Sequence, residues 1–271
     1  MTASHPQPIN AIPESFCKAL RYFFTDIDDT MTHNGLLPAE AYQAIWQLSE
    51  QGIGVIPVTG RPAGWCDHFA RMWPVEGVVG ENGAFYFSYD RSHNRMNRVY
   101  LLDEAERQEG QRRLETIRRR VLAEVPGCGI SADQPYRIVD LAIDFCEDVA
   151  SLSKEGVQDI CRIAEEEGAT YKVSSIHVNC WYGDHNKVAC FERFLKDFTG
   201  HTLAEMQSSI VFVGDSPNDE PMFQELEHTI AVANIKNFLA DLQHHPTYIT
   251  THEAGLGFAE AVEIILQKRA Q

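Results

Sequence analysis

The sequence is poor in positive charge and has no long apolar run. Lys and Arg together number 23 against 39 Asp and Glu in 271 residues, which gives a formal net charge of −16. So acidic a surface repels the phosphates of nucleic acids and of anionic membranes, which argues against both as partners. No apolar stretch approaches the ~20 residues that a membrane-spanning helix needs. An anionic ligand would therefore require local positive charge, from a metal ion, a lysine or helix N-termini.

The cysteines do not have the number or spacing of a disulfide framework. Their number is odd and no two are spaced as CxxC, which favours reduced thiols over disulfides or a zinc site. The seven are Cys17, Cys66, Cys128, Cys146, Cys161, Cys180 and Cys190. The first 16 residues lack a basic start followed by an apolar run, so no signal peptide is expected. These absences together predict a cytoplasmic protein.

Short apolar runs alternate with helical patterns in the first and last thirds of the chain. Tyr22–Phe24 is followed by helical spacing over Pro38–Gln51, and Ile53–Val58 is followed by a helical stretch from Pro62. The late run Ile210–Val213 repeats this order. Strands that alternate with helices over short connections predict a Rossmann-like parallel sheet flanked by helices, an α/β fold.

The middle of the chain has a different pattern. Two charged helical stretches and several alternating runs indicate an α+β unit over about 85–184, inserted into the first unit. The predicted division is therefore a core of 19–84 and 185–271 with an inserted domain of 85–184. Residues 1–18 contain three prolines and few aliphatic side chains, and are expected to form a loose N-terminal arm.

Acidic and hydroxyl side chains follow the predicted core strands. Asp26, Asp28 and Thr30 come directly after the first strand, and Thr59-Gly60 follows the second at the mouth of a helix. Because ligands bind at the carboxyl ends of parallel strands, these side chains should share one pocket. A hydroxyl and a backbone N–H at a helix start are suited to hold phosphoryl oxygens.

The late strand ends in a second acidic run. This run is Gly214-Asp215-Ser216-Pro217-Asn218-Asp219, and Lys187 begins the helix that follows the inserted unit. Two carboxylates 4 Å apart repel by roughly 4 kcal/mol at an effective dielectric of 20, so the cluster needs a neutralising cation. Carboxylate ligands without His or Cys favour Mg²⁺ over zinc.

Each of these signals has a structural explanation when taken alone. The acids after a strand could be a solvated turn or a helix cap, Thr59-Gly60 could be simple turn chemistry, and Lys187 could be a surface lysine. Their occurrence in this order, each at the end of a strand or the start of a helix, favours a functional site. The neighbouring Arg61 is interpreted as structural.

These motifs resemble those of the haloacid-dehalogenase superfamily. Asp26-Ile27-Asp28-Asp29-Thr30 matches its DxDxT signature, and Thr59, Lys187 and the Gly214–Asp219 run match its other three motifs in order. The position of the inserted unit resembles the large cap (type IIB) of the subgroup that contains sugar-phosphate phosphatases such as sucrose-phosphate phosphatase. The match covers the core from about Tyr22 to Val232, and the cap sequence itself matches far more weakly.

The resemblance implies a phosphatase mechanism. Asp26 would be the nucleophile and form an aspartyl-phosphate, Asp28 the general acid and base, and Lys187 a charge-balancing residue. Thr59 would hold phosphoryl oxygens together with Gly60, and Thr30 would position the two acids beside the substrate. Mg²⁺ would be bound by the set Asp26, Asp28, Asp215, Asn218 and Asp219.

The substrate implied is a small phosphate ester, most naturally a sugar phosphate. A sugar phosphomutase of the same superfamily is the alternative, since it shares the chemistry of Asp26 and Asp28. A regulatory protein with a vestigial site is disfavoured because every expected catalytic position holds a competent residue. The oligomeric state is not predicted.

Three further residues are candidates for substrate binding. Asn82 follows the third strand and would contact substrate or brace the site, or else belong to a hinge into the inserted unit. His177 and Asn179 alternate along the run 176–181, so they share one face. That face would read substrate hydroxyls if it points at the acids, or would be an ordinary sheet face.

Overall fold

The computed structural model describes residues 5–174 and 176–271, and within them the chain forms three β-sheets. The largest sheet has six parallel strands in the order β1-β13-β12-β11-β2-β3. Their bounds are β1 Gln7–Pro8, β2 Tyr22–Thr25, β3 Gly54–Pro57, β11 Ile210–Gly214, β12 Thr229–Ala231 and β13 Tyr248–Ile249. The order makes β2 the neighbour of both β3 and β11, so the carboxyl ends of these three strands lie side by side.

Helices cover both faces of this sheet. Successive residues of a strand point to opposite faces, so Phe23 joins one hydrophobic cluster and Phe24 the other. The helices that pack here are α1 Glu14–Ala19, α2 Ala39–Glu50, α3 Ala63–Met72, α6 Lys187–Thr199, α7 Leu203–Met206, α8 Glu220–Glu225 and α9 Ala254–Arg269. Burial on both faces explains why the central strands are continuous apolar runs. The predicted α/β fold class is confirmed.

A four-stranded antiparallel sheet forms a second unit. Its order is β7-β8-β10-β9, with bounds β7 Gly129–Ile130, β8 Leu141–Asp144, β9 Thr170–Val173 and β10 His177–Trp181. Helices α4 Glu104–Glu124 and α5 Lys154–Glu166 pack on one face and share a hydrophobic cluster with it. Helix α4 begins with a capping box between Asp103 and Glu106. We call this unit the cap.

The third sheet joins the two units. It is the antiparallel series β4 Val78–Gly80, β5 Phe85–Asp90 and β6 Arg95–Tyr100. Phe85 and Phe87 belong to one cluster of the main sheet and Tyr86 to the other. The sequence division assigned this hairpin to the inserted domain, beginning at 85; since it packs with the core, we propose that the cap begins at about 101.

The prediction of a loose N-terminal arm is wrong for residues 5–18. Strand β1 pairs with β13, and Ile9, Ile12 and Phe16 are buried against α9 and its neighbours. Lys268 and Arg269 in the last turn of α9 donate to backbone carbonyls of this segment. The prolines therefore shape a packed segment, because Pro is compatible with an edge strand and with a helix start. Residues 1–4 lie outside the described part.

No disulfide bond joins any of the seven cysteines, all of which lie within the described ranges. None of the helices within the two described ranges is both long enough and apolar enough to cross a membrane.

Candidate active site

The carboxyl ends of β2, β3 and β11 bring the predicted acidic motifs together. Backbone hydrogen bonds continue past the strands, with Asp26 N donating to Val213 O at 2.8 Å and Val58 N donating to Thr25 O at 2.7 Å. The chain after each strand is therefore held in register with its neighbour. Asp26 and Asp215 consequently meet, although 189 positions separate them in the sequence.

Three acids form a buried cluster at this edge of the sheet. One carboxylate oxygen from each of Asp26, Asp215 and Asp219 lies within 4.8 Å of the others, and the three residues are 4%, 5% and 0% exposed. Burial raises the pKa of Asp26 to about 8, although Lys187 acts in the opposite direction. The pKa of Asp215 is also raised, by burial first and then by Asp219 and Asp26. The cluster would be relieved by a cation, and its hard oxygen ligands fit Mg²⁺.

Lys187 supplies one positive charge to the cluster. Its Nζ donates to Asp26 Oδ1 at 3.1 Å and to Asp219 Oδ1 at 2.9 Å. Burial lowers the pKa of Lys187, but the two carboxylates more than offset this and raise it overall. The residue opens α6, and the Asn186 side chain before it caps the helix by accepting from Ala189 N.

Asp219 organises the loop after β11. Its second carboxylate oxygen accepts from the backbone N–H groups of Asp215 at 3.0 Å and Ser216 at 3.4 Å. A Cβ on Gly214 would overlap this carboxylate, so the absence of a side chain there makes room for it. Asn218 lies on the wall of the cavity and accepts from the Ser216 hydroxyl at 2.7 Å.

Thr30 contacts one acid of the cluster. Its side chain is fully buried, and its hydroxyl donates to Asp215 Oδ1 at 3.0 Å. Thr30 therefore orients Asp215, and its assignment to the substrate-binding residues stays a prediction. Asn234 donates to Asp215 Oδ2 at 3.2 Å and accepts from Ala254 N, so Asp215 is held from both sides.

The turn after β3 forms another wall of the cavity. Thr59 is fully buried, and its hydroxyl accepts from Arg61 N at 3.0 Å. Gly60 lines the cavity beside Asn82, and a Cβ there would come within 3.2 Å of the Asn82 side chain. The two predicted phosphoryl-binding groups thus sit at the start of α3, where backbone N–H groups point outward.

The turn after β4 connects the core to the cap. Glu81 and Asn82 have positive φ values of 43° and 55°, in the left-handed region that non-glycine residues seldom adopt. The Glu81 carboxylate accepts backbone N–H groups from Ala63 in the core and from residues 138–140 in the cap. At Gly83, with φ 100°, a Cβ would overlap the carbonyl of Asn186. This turn is therefore a junction, in agreement with the hinge alternative for Asn82.

Asn82 also belongs to the cavity wall. The side chain is 7% exposed, lines the cavity with Asp26 and Asp28, and its Nδ2 has no hydrogen-bond partner among the described residues. Asn82 therefore lies both at the junction and on the cavity wall, and its contact with substrate stays a prediction.

The polar face of the cap sheet points at the acids. His177 and Asn179 line the cavity that Asp26 and Asp28 also line, and both are buried. His177 Nε2 lies 2.9 Å from Glu147 Oε2, and Asn179 Nδ2 donates to Asp140 Oδ2 at 2.9 Å. Burial lowers the pKa of His177, with Arg137 acting in the same direction. The sequence left open which way this face points, and in the structure it lines the same cavity as Asp26 and Asp28.

Comparisons with known proteins agree with this architecture. The model of the haloacid dehalogenase-like hydrolases matches residues 23–108. A phosphoglycolate phosphatase from Methanobrevibacter smithii is 25% identical over 244 residues, which is 88% of this chain and 95% of that protein. Crystal structures of a Thermoplasma acidophilum protein and of a HAD/COF-like hydrolase from Plasmodium vivax share the fold. Their TM-scores are 0.68 and 0.67, each at 18% identity, and the matches cover 91% and 92% of this chain and 98% and 96% of the other.

Residues 23–108 are thus similar in sequence to the haloacid dehalogenase-like hydrolases, and the fold is shared with the solved structures over more than nine-tenths of the chain. The large-cap subgroup predicted from the position of the inserted unit fits the structure. The prediction of an enzyme of the phosphatase type is confirmed by the family model together with the named relative.

Arg61 is the main residue of the candidate site that sequence reasoning missed. Its Nε and Nη2 donate to the Asp28 carboxylate at 3.0 Å and 2.7 Å, and its Nη1 reaches Glu147 of the cap at 3.4 Å. The guanidinium also lies 4.5 Å from the centre of the Trp65 ring. No local pattern marks this role, because Asp28 and Glu147 are 33 and 86 positions away.

Asn234 was also missed, but a signal for it was present. Strand β12 ends at Ala231, and Asn234 lies three positions past this end, where side chains of a parallel sheet reach the ligand site.

The cap residue Arg137 is a third omission. It pairs with Asp133 and Asp140 and donates to the carbonyl of Gly60 at 3.0 Å, which ties the cap to the phosphoryl-binding turn.

Proposed function

We propose that this enzyme is a Mg²⁺-dependent phosphomonoester hydrolase that acts on a small phosphorylated metabolite through an aspartyl-phosphate intermediate. The observation that carries the proposal is the position of Asp26, which contacts Lys187 and shares a buried cluster with Asp215 and Asp219. A buried carboxylate next to other carboxylates does not stabilise the fold, but it can act as a nucleophile when nearby cations keep it ionised.

The first step transfers the phosphoryl group to the enzyme. An Asp26 oxygen attacks phosphorus in line, the ester P–O bond breaks, and a proton from Asp28 neutralises the leaving alkoxide. In the second step water attacks the same phosphorus and gives a proton to Asp28. The Asp26–phosphate bond then breaks, which releases inorganic phosphate and restores Asp26.

The remaining residues would position the phosphoryl group and neutralise its charge. Thr59 and the Gly60 backbone would bind phosphoryl oxygens, and Lys187 would balance their charge. Asp26, Asp215 and the Asp28 backbone carbonyl would bind Mg²⁺, while Asn218 and Asp219 would complete or support this set. When bound, the ion would neutralise the acid cluster and polarise a phosphoryl oxygen.

The substrate is proposed at the level of its class. The cavity is lined by Asp26 and Asp28 from the core and by His177 and Asn179 from the cap, so the cap would contact the organic part of the ester. Sugar phosphates, expected from the sequence, and phosphoglycolate, named for the M. smithii relative, are therefore the compounds to test first, together with glycerol phosphates.

The decisive experiment measures phosphate release from an aryl phosphate with and without Mg²⁺. We expect hydrolysis that is abolished by a chelator and reduced by at least about 10³-fold in Asp26→Asn, since a carboxamide cannot form the covalent intermediate. Asp241→Asn, at an exposed position far from the cluster, is the matched control and should keep full activity. Undiminished turnover by Asp26→Asn would refute the mechanism. Incubation with a hexose phosphate separates hydrolysis from the phosphomutase alternative, which would yield an isomerised phosphosugar instead of free phosphate.

A further inference from the structure

A second cavity adjoins the first beside Lys187. It has a volume of about 420 Å³, and its walls include Asn82, Lys172, Trp181 and Asn218. Asn82, Lys172 and Asn218 also line the cavity that contains Asp26. The two spaces are thus neighbours across these residues, so a substrate whose phosphoryl group is at Asp26 can extend its other end toward Trp181.

Lys172 differs from the other cationic side chains around these cavities. Arg61, Arg137 and Lys187 are each hydrogen bonded to carboxylates. Lys172 has no ion pair or hydrogen bond from its side chain in the described parts of the chain. Lys172 is exposed to solvent where it lines the cavity, so its charge is available to a ligand. Glu225 lines the same cavity and is exposed as well.

Two neutral donors lie beside this lysine. The Asn82 Nδ2 and the Trp181 Nε1 are buried, and neither has a hydrogen-bond partner within residues 5–174 and 176–271. Trp181 is 2% exposed and Asn82 is 7% exposed. Buried donors in native proteins are nearly always satisfied, so two orphans on one cavity wall indicate acceptor atoms supplied by a ligand.

Strand register places Lys172 on the correct face. Lys172 is directly opposite Asn179 in the antiparallel pair β9–β10, so the two side chains lie on the same face of the sheet. Trp181 is two residues beyond Asn179 and therefore shares that face as well. The free lysine and the indole N–H consequently look toward the core from adjacent strands.

We propose that Lys172, Trp181 and Asn82 bind a carboxylate at the end of the substrate remote from its phosphoryl group. The three available groups are all donors, and a carboxylate accepts hydrogen bonds only, whereas a sugar hydroxyl would also need an acceptor. The proposal rests on the proposed function, since it takes the phosphoryl group to be at Asp26. The substrate class is accordingly a short phosphomonoester that carries a carboxylate.

The test compares two esters of similar size. One is 2-phosphoglycolate, and the other is 2-hydroxyethyl phosphate, which lacks the carboxylate. We expect Lys172→Met to raise the KM for 2-phosphoglycolate by about 10- to 100-fold, the range for a lost bond to a charged group, and to change neither KM nor kcat for the neutral ester. Trp181→Phe should act in the same direction with a smaller effect, and Lys172→Arg should restore most of the affinity. The control Lys154→Met alters an exposed lysine at the start of α5 and should change neither ester.

Two outcomes would overturn the proposal. One is an equal loss by Lys172→Met on both esters, and the other is a wild-type enzyme that does not prefer the carboxylated ester. Calorimetry of both esters with the Asp26→Asn variant in Mg²⁺ keeps the two proposals separate. If the wild type hydrolyses no ester but Lys172 still governs the binding preference, the proposed function fails and the carboxylate site stands. If turnover is normal without any preference, the carboxylate site fails and the proposed function stands.

Discussion

At the scale of single residues, Arg61 connects the chemistry of the core with the cap. Its guanidinium grips the Asp28 carboxylate through two nitrogens and reaches Glu147 with the third. The Arg61 side chain is 9% exposed, while those of Asp28 and Glu147 are 29% and 32% exposed, so the contacts are partly buried. Glu147 is itself 2.9 Å from His177. Arg61 therefore holds the proposed general acid, Asp28, in position and also contacts the cap.

Replacement of Arg61 by lysine should impair catalysis more than folding. Lysine keeps the charge but cannot form the forked contact, so Asp28 should lose its orientation and kcat should fall by about 10- to 100-fold. Steady-state kinetics on an aryl phosphate provide the measurement. Arg71→Lys, which alters an exposed pair with Asp67, should leave kcat unchanged. An Arg61→Lys enzyme with wild-type kcat would show that the fork is dispensable.

His185 gives the protein a defined sensitivity to acid. It is 5% exposed, lies against Trp181 at 5.6 Å between ring centroids, and neither ring nitrogen has a partner among the described residues. Burial lowers its pKa to about 4. Because this folded-state pKa is below the unfolded value of about 6.5, the stabilising effect is complete above pH 6.5 and is lost as the pH falls toward 4.

Substitution His185→Phe should remove this loss. Between pH 7 and pH 4 the free energy of unfolding of the wild type should fall by about 3 kcal/mol more than that of the variant. Urea unfolding across this range is the measurement, and His244→Phe, at an exposed position, is the control. Parallel pH profiles for His185→Phe and the wild type would contradict the assignment.

The site residues that could be predicted from the sequence are those that lie next to a strand end or a helix start. Asp26, Asp28, Asp215 and Lys187 stand next to strand ends or a helix start, so their grouping follows from the topology of a parallel sheet. The roles of Arg61 and Arg137 depend on partners in the other unit. Thr30 was correctly placed near the acids, but its hydroxyl orientation is a packing property that no sequence pattern encodes.

At the scale of elements, the junction after β4 sets the relation between core and cap. The Glu81 side chain is fully buried and accepts hydrogen bonds from four backbone N–H groups, one at the start of α3 and three just before β8. Burial, with Asp140 nearby, raises its pKa to about 7, while these backbone donors favour the ionised form. The contact between core and cap should therefore be most stable when the Glu81 carboxylate is ionised.

The substitution Glu81→Gln should loosen this junction. An amide offers one acceptor oxygen in place of two, so some of the backbone donors lose their partner, at a cost of about 2–4 kcal/mol in unfolding free energy at pH 8. Hydrogen exchange at residues 138–140 should accelerate in the variant. Glu76→Gln, an exposed neighbour, should leave exchange there unaltered. Unchanged protection of residues 138–140 in Glu81→Gln would exclude the proposed bridge.

The elements themselves were predictable where periodicity was strong. The helical spacing predicted over Pro38–Gln51 corresponds to α2, Ala39–Glu50, to within one residue at each end. The segment 5–18 was misjudged because its three prolines argue against regular structure, although Ile9, Ile12 and Phe16 have the i, i+3, i+7 spacing of one helix face. Their burial depends on α9, which lies more than 230 positions further along the chain.

At the scale of the whole molecule, the negative net charge of the chain affects which ligands the proposed active site can bind. A net charge of −16 disfavours anionic ligands everywhere except where cations are concentrated. Among the described residues, Lys187 pairs with Asp26 and Asp219 of the three clustered carboxylates, and its single charge does not balance the cluster. The fold as a whole should therefore respond to divalent cations.

Magnesium should stabilise the folded protein. At a concentration 100 times its Kd, a ligand specific for the native state adds about 2.7 kcal/mol, which for a chain of this size raises Tm by roughly 5–10 °C. Thermal denaturation with Mg²⁺ or a chelator measures the effect. Asp215→Asn should abolish the shift and Asp241→Asn should retain it. An equal rise in Asp215→Asn would place the bound ion elsewhere.

The close packing of Gly83 against Asn186 constrains how this sequence can vary. The residue after Asn186 is Lys187, so any side chain introduced at Gly83 would push the start of α6, and its ammonium group, away from Asp26. In a saturation library selected for turnover, position 83 should therefore tolerate as little diversity as the acids themselves, although it contributes no functional group.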